Sequence, residues 1–399
     1  RLSFILLIIL IALIGVKDAV KEENPLISIF NLTTKLTVNR YGLFDFSKNK
    51  YYNAHMEKNK NNDLIVVLFF GESGRADRWS LNGYYRNTNP LLSKQKNLIN
   101  FKNAHSCRVS TSLSFNCVIT GINSKNFNFS TKQQTIYSFF KQSGFKTAFL
   151  STGANDLNEY ISKDIKDVYL EMNINTFFNN YEKTFDYDLI PMMEKYIAKN
   201  NNNNLFITMI GMGSHFDYKN RVPEKFNIFK TNNDRNNKFV DQDGSHCDVF
   251  KNRSLGEIDD NYDATILYTD YVLNGIIDTL KNKNAIVIYA SDHGESFNEN
   301  GNGCLHAYKS DDPQIWEIPF FIWASDKFID RNKDNWKNIQ LFQEQVNQNK
   351  RMVSHDNIIH TLLDCSSIKS DFINKKLSMC NQDGEIYKNE FEGLKRFNE

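Results

Sequence analysis

This sequence lacks an excess of charge of either sign: 48 Lys and Arg stand against 47 Asp and Glu in 399 residues. No overall field therefore points to nucleic acid as a partner. It also lacks the metal and redox spacings that cysteine usually signals, with no CxxC pair and no Cys/His zinc-finger pattern. Only six cysteines occur, Cys107, Cys117, Cys247, Cys304, Cys365 and Cys380. That even set is one an oxidising compartment allows. There is no internal repeat. Runs of Asn such as 200–204 read as loop filler.

What is present begins with an uncharged, almost wholly apolar run at residues 2–16. As a helix it would reach about 22 Å, short of the roughly 30 Å hydrocarbon core. Arg1 followed by this run resembles the start of a signal peptide, but "GVKDAVKEENP" offers no clean small-x-small cleavage site. The expectation is therefore the end of a transmembrane helix over 1–16 and a juxtamembrane connector over 17–62. Either reading exports the rest of the chain.

From residue 63 the pattern changes. "LIVVLFF" (64–70) is a continuous β-branched and aromatic run, the signature of a strand buried on both faces. Similar runs follow at "KTAFLS" (146–151), "LFITMIG" (205–211), "AIVIYA" (285–290) and "IPFFIWA" (318–324). Between them lie "TIYSFFKQSG", which ends in a Gly cap signal, "LIPMMEKYIAK" and "DATILYTDYVLNGIIDTLKN", with helical spacing of apolar residues. Alternation of this kind predicts an α/β domain over 63–399 with a central, mainly parallel sheet flanked by helices. The 31 Phe and 18 Tyr suit a substantial core.

Sites in such sheets gather at the carboxyl ends of the strands. Glu72 follows the first run, Asp292 and His293 follow the fourth, and His215 follows the third. Any one of these has an ordinary structural account as a cap or a surface histidine. Together they deliver carboxylate and imidazole groups to one edge, a donor set that Zn²⁺ accepts. A fourth position is left for a hydroxyl, and "CRVSTSLSFNC" (107–117) offers four of them: Ser110, Thr111, Ser112 and Ser114. Metal coordination would activate such a hydroxyl as a nucleophile. A Cys107–Cys117 bridge would hold its loop still. Cys365–Cys380 and Cys247–Cys304 are the expected remaining pairs, although spacing alone leaves the connectivity open.

Four stretches then carry a resemblance: 66–92 ("VVLFFGESGRADRWSLNGYYRNTNPLL"), "CRVSTSLSFNC", 213–226 ("GSHFDYKNRVPEKF") and 291–301 ("SDHGESFNENG"). In this order they resemble the lipopolysaccharide phosphoethanolamine transferases, membrane-anchored members of the alkaline phosphatase/sulfatase superfamily. The resemblance implies an alkaline-phosphatase-like fold in the periplasm, anchored in a Gram-negative inner membrane. It implies one Zn²⁺ site made by Glu72, Thr111, Asp292 and His293, with Thr111 as nucleophile. His215 and His306 match positions that bind substrate or a second metal ion. Two departures stand near this pocket: "GES" where many members have "GET", and "SHFDY" in place of a more usual His-Gly-Pro.

The reaction so implied has two steps. Thr111 attacks the phosphorus of phosphatidylethanolamine and releases diacylglycerol; lipid A or core oligosaccharide of lipopolysaccharide then takes the phosphoethanolamine. Added amine would offset negative charge and reduce binding of cationic peptides such as polymyxin. A phosphoglycerol transferase or phosphodiesterase on the same fold is the alternative, and a non-catalytic envelope protein binding lipid or metal a further one. Sulfatase chemistry is disfavoured because "CRVST" lacks the Pro and Arg of a C/S-x-P-x-R motif. His355 and His360 stand five residues apart, about 140° around a helix, and are read as structural. Glu295 and Glu299 are expected to cap or solvate their loop. Asp270 is expected to face solvent or a basic residue, and Trp79 and Trp323 to pack. His55, His105 and His246 remain unassigned.

Overall fold

The run at 64–70 forms strand β1 (Leu64–Gly71), and every residue in it is buried. Its side chains divide by the two-residue period: Val66, Leu68 and Phe70 enter one core, Ile65, Val67 and Phe69 the other. The computed structural model describes residues 52–56, 63–122, 124, 134–153, 169–172, 184–231, 247–250, 253–299, 301, 303–306 and 312–381. All of these belong to one unit of the fold. The expected membrane segment at 1–16 lies outside the described residues. Among the described residues no helix is long and apolar enough to cross a membrane.

The sheet continues with β2 (Leu98–Phe101), β3 (Lys146–Ser151), β4 (Tyr169–Met172), β5 (Leu205–Ile210), β6 (Asn284–Ser291) and β7 (Phe320–Ala324). Its order is β2-β7-β6-β1-β5-β3-β4. The five strands from β6 to β4 are parallel, and β7 runs antiparallel to both β6 and β2. The mainly parallel α/β expectation holds, with a mixed edge. The sequence pattern passes over β2 and β4 because "LINF" and "YLEM" are short and interrupted by polar residues.

Helices cover both faces. On one lie α1 (Thr111–Thr120), α2 (Ile136–Gln142), and later α5 (Lys333–Asn347) and α6 (Asp356–Cys365); on the other lie α3 (Leu189–Lys199) and α4 (Leu255–Leu280). The cap signal after α2 is real, since Gly144 takes φ +85°. Helix α4 starts where the Ser254 side chain accepts from the Glu257 amide at 3.0 Å. Asp270, expected to face solvent or a basic residue, is instead fully buried in α4 with backbone amides as its partners. It accepts from the Leu91 and Leu92 amides at 3.0 and 2.9 Å, so it caps a neighbouring turn. Burial raises its carboxyl to about 6.

The pairs Cys107–Cys117, Cys247–Cys304 and Cys365–Cys380 all form. Residues 52–56 also pack on this unit, and His55–Met56 pairs antiparallel with Ile368–Lys369.

Candidate active site

Three central strands place the chemistry. β1 lies between β6 and β5, with Gly71 opposite Ser291 and Phe70 opposite Ile210. Their carboxyl ends therefore carry Glu72, Asp292 and His293, with His215 on the loop beyond β5. Glu72 turns inward because Gly71 O accepts from the Asp292 amide at 2.9 Å and Glu72 O accepts from the Ser214 amide at 2.9 Å. Gly213 passes against it at φ +45°, where a Cβ would stand 2.7 Å from Glu72 O.

The Asp292 carboxylate is held at one oxygen and free at the other. Oδ1 accepts from the amides of Ser73 (2.8 Å) and His293 (2.7 Å). Oδ2 and His293 Nε2 lie 3.1 Å apart, yet neither has a partner in hydrogen-bonding geometry, and both are buried. Glu72 Oε1 is 3.7 Å from His293 Nε2. The ring of His293 is fixed from behind, with Nδ1 2.8 Å from Gly294 O, so Nε2 faces the carboxylates. Burial and the nearby Asp292 raise the Glu72 carboxyl. Burial opposes charge on His293, and Asp292 outweighs it and pulls the imidazole pKa upward. Two buried carboxylates converge on an imidazole nitrogen that makes no hydrogen bond. That donor set fits a divalent metal ion.

The hydroxyl arrives from α1. Thr111 is its first residue, half-buried, and donates from Oγ1 to Glu72 Oε2 at 3.0 Å. Ser114 is turned away and donates to Arg108 O at 2.8 Å. At a helix N-terminus the leading amides lack the acceptor position of a helix interior and the dipole favours anions, which suits an anionic group bound beside this hydroxyl. The Cys107–Cys117 bridge ties the entering loop to the same helix.

The two further histidines stand beside this centre. The ring centroids of His306 and His293 are 3.9 Å apart, and those of His306 and His215 6.3 Å. Glu72, His293 and His306 each present a ligand atom within 4.8 Å of the others. His215 Nδ1 lies 2.6 Å from Phe216 O, which leaves Nε2 for the pocket. Glu295 does not solvate its loop: it is fully buried and bonds His306 Nδ1 at 2.9 Å. Glu299 does act locally, accepting from the Phe297 amide at 2.8 Å and pairing with Arg75 at 2.6 Å.

Several supporting residues gave no sequence signal. Asp186 accepts from the amides of Met212 and Gly213, both at 2.8 Å, and so sets the loop that presses on Glu72. The Tyr262 hydroxyl donates to Ser73 O at 2.5 Å and accepts from the Arg75 amide at 2.9 Å. Arg221 donates to the carbonyls of His215 and Phe216 at 2.9 and 2.8 Å. Trp79 is fully buried and stacks on Tyr289, as a packing residue would.

Comparison with known proteins bears on the family and the fold. The model of the Sulfatase family matches residues 65–368. The Kdo(2)-lipid A phosphoethanolamine 7''-transferase of Escherichia coli K12 is 29% identical over 76% of this chain and 51% of its own length. The chain thus spans about half the length of the curated relatives it matches first. Among solved structures, the soluble domain of lipooligosaccharide phosphoethanolamine transferase A from Neisseria meningitidis superposes with a TM-score of 0.68 at 23% identity. It covers 82% of this chain and 95% of that one. The C-terminal periplasmic domain of EcEptC from Escherichia coli in complex with Zn gives 0.67 at 24% identity, over 85% of this chain and 94% of that one.

Proposed function

This chain belongs to the sulfatase family, and on that premise we propose that it is a zinc-dependent phosphoethanolamine transferase. The observation that carries the reading is the meeting of Thr111 Oγ1 with Glu72, beside the orphaned Asp292 Oδ2 and His293 Nε2. Curated relatives named as phosphoethanolamine transferases support the transferred group. The family's name does not carry its sulfatase chemistry here, because "CRVST" lacks the residues of a formylglycine motif.

Glu72, Thr111, Asp292 and His293 would hold one Zn²⁺, which supplies Lewis acidity, lowers the pKa of a coordinated hydroxyl and neutralises phosphoryl charge. Thr111 Oγ1 attacks the phosphorus of phosphatidylethanolamine from the first turn of α1, whose free amides receive the phosphoryl oxygens. Glu72 Oε2, already accepting from this hydroxyl, takes its proton as the bond to phosphorus forms. The bond from phosphorus to the diacylglycerol oxygen breaks, and that oxygen takes a proton from His306 or His215. Glu295 holds His306 by Nδ1, so the opposite nitrogen does this work. In the second step a lipid A phosphate or a core sugar group attacks phosphorus. A proton shed by a sugar hydroxyl passes to the histidine that gave one up, and Thr111 leaves as its oxygen recovers the proton from Glu72.

A donor held in a bilayer and an acceptor built on lipid A place the working enzyme at a Gram-negative inner membrane, with this domain in the periplasm. The three disulfides accord with such a compartment. The test is a donor assay: zinc-loaded protein in detergent micelles with phosphatidylethanolamine, and with phosphatidylglycerol in parallel. Diacylglycerol release from the first lipid, abolished by Thr111→Ala, is the expected result. Release from phosphatidylglycerol alone replaces the donor and overturns the reading.

A further inference from the structure

His355 was set aside above as a structural histidine, and its contacts say more. It immediately precedes α6 and is completely buried, with its ring 5.5 Å from that of Phe70. The Cys107 amide donates to its Nδ1 at 3.1 Å, and Nε2 lies 2.8 Å from Ser291 O. Since an amide N–H points at Nδ1, that nitrogen carries no proton. The proton is on Nε2 and is donated to the Ser291 carbonyl.

Both partners occupy telling places. Cys107 opens the bridged loop four residues before Thr111, and Ser291 is the last residue of β6, directly before Asp292 and His293. The Ser291 side chain in turn accepts from the Gly74 amide at 2.6 Å and donates to His293 O at 3.0 Å. One side chain therefore joins the segment that carries the hydroxyl to the residue that knits together the two carboxylate-bearing strand ends. The attachment is doubled on the loop side, where the His355 amide donates to His105 O at 3.3 Å. Val353–Ser354 also pairs in parallel with Ala104–His105.

We infer that His355 is a positioning residue, a neutral imidazole strut that sets the separation of Thr111 from the Asp292–His293 pair. The inference rests on the transferase reading for its effect on turnover, but the strut itself is a property of the fold. Nothing polar other than these two groups needs to change for the effect. Displacement of a nucleophile by about 1 Å costs on the order of 100-fold in rate.

The experiment compares His355→Gln with His355→Leu. Glutamine offers an acceptor and a donor, whereas leucine keeps the apolar bulk against Phe70 and removes both bonds. Diacylglycerol release, zinc per chain, thermal midpoint and amide exchange are measured on each. His355→Leu is expected to lower kcat by about 100-fold with KM and zinc content held and faster exchange at Cys107. His355→Gln is expected to recover most of that loss. A folded, zinc-loaded leucine variant with wild-type kcat overturns the proposal, as does a glutamine variant no better than leucine. Nitrogen-15 NMR of the histidines in the wild-type protein decides the matter if the leucine variant does not fold. An Nε2-protonated ring for His355 supports the strut, and an Nδ1-protonated ring overturns it. That spectrum and the exchange rates read the strut even in a protein that releases no diacylglycerol, so failure of the transferase reading stays distinguishable.

Discussion

Thr111 and Glu72 lie 39 positions apart in sequence and meet through a 3.0 Å hydrogen bond at the edge of the sheet. Helix α1 brings the hydroxyl, β1 brings the carboxylate, and neither residue alone defines a site. Their contact singles out Thr111 among the four hydroxyls of the bridged loop, and on it rests our proposal that Thr111 is the reacting one.

Glu72→Gln separates metal binding from apo stability. The raised Glu72 carboxyl binds its proton more tightly folded than unfolded. Its ionisation therefore costs apo stability as pH rises above the ordinary carboxylate range. Chelated Glu72→Gln should be at least as heat-stable as chelated wild type at neutral pH, yet gain far less from added zinc. Thermal unfolding with and without chelator checks both halves. Equal stabilisation of the two proteins by zinc would contradict the assignment of Glu72 as a ligand.

Gly213→Ala should damage the site from behind. A methyl at φ +45° would sit 2.7 Å from Glu72 O and 3.0 Å from Glu72 N. The left-handed conformation alone costs about 1–2 kcal/mol in an L-residue, and Glu72 must then move. We expect kcat to fall by about 10–100-fold at little change in KM, measured by steady-state donor assays. Full activity would mean that Glu72 tolerates displacement.

The disulfides should differ in effect although they staple loops of similar length. Residues are separated by 10 positions in Cys107–Cys117 and by 15 in Cys365–Cys380. Removing either bridge by paired Cys→Ser changes should cost about 3 kcal/mol. Only loss of the first, which flanks Thr111, should lower kcat per folded molecule. Denaturant unfolding alongside turnover tests the contrast.

Acid should destabilise the fold through its buried neutral histidines. His360 accepts at Nδ1 from the Asn374 amide at 3.2 Å, and burial lowers its pKa to about 4. The unfolded chain binds this proton from about 6.5 downward, so stability falls as pH drops from there toward 4. Between pH 6.5 and 5 the loss attributable to His360 is about 1.6 kcal/mol. Stability curves of His360→Gln should be flatter over that interval by this amount, read from denaturant melts at each pH.

Much of this arrangement was legible before the structure, and the reasons are local. β1, β3, β5, β6 and β7 announce themselves because strands buried on both faces need continuous apolar runs. Glu72, Asp292 and His293 follow such runs at once, and the position of a residue after a buried strand locates it at the carboxyl edge. β2 and β4 escaped notice because their four-residue segments alternate with polar residues. Asp270 was misread because a helix covered on most of its surface hides charged positions that spacing assigns to solvent. Glu295, Asp186 and His355 act on their neighbours through partners at least eleven residues away in sequence. No spacing reveals such contacts, and only the packed sheet ends bring them together.

The most direct test of the account is peptide mass spectrometry on zinc-loaded protein incubated with phosphatidylethanolamine, with Thr111→Ala alongside. The account predicts a phosphoethanolamine adduct on Thr111 within the 107–117 segment, absent from the variant. An adduct on Ser110, Ser112 or Ser114, or turnover by the protein with Thr111 unmodified and dispensable, would contradict it.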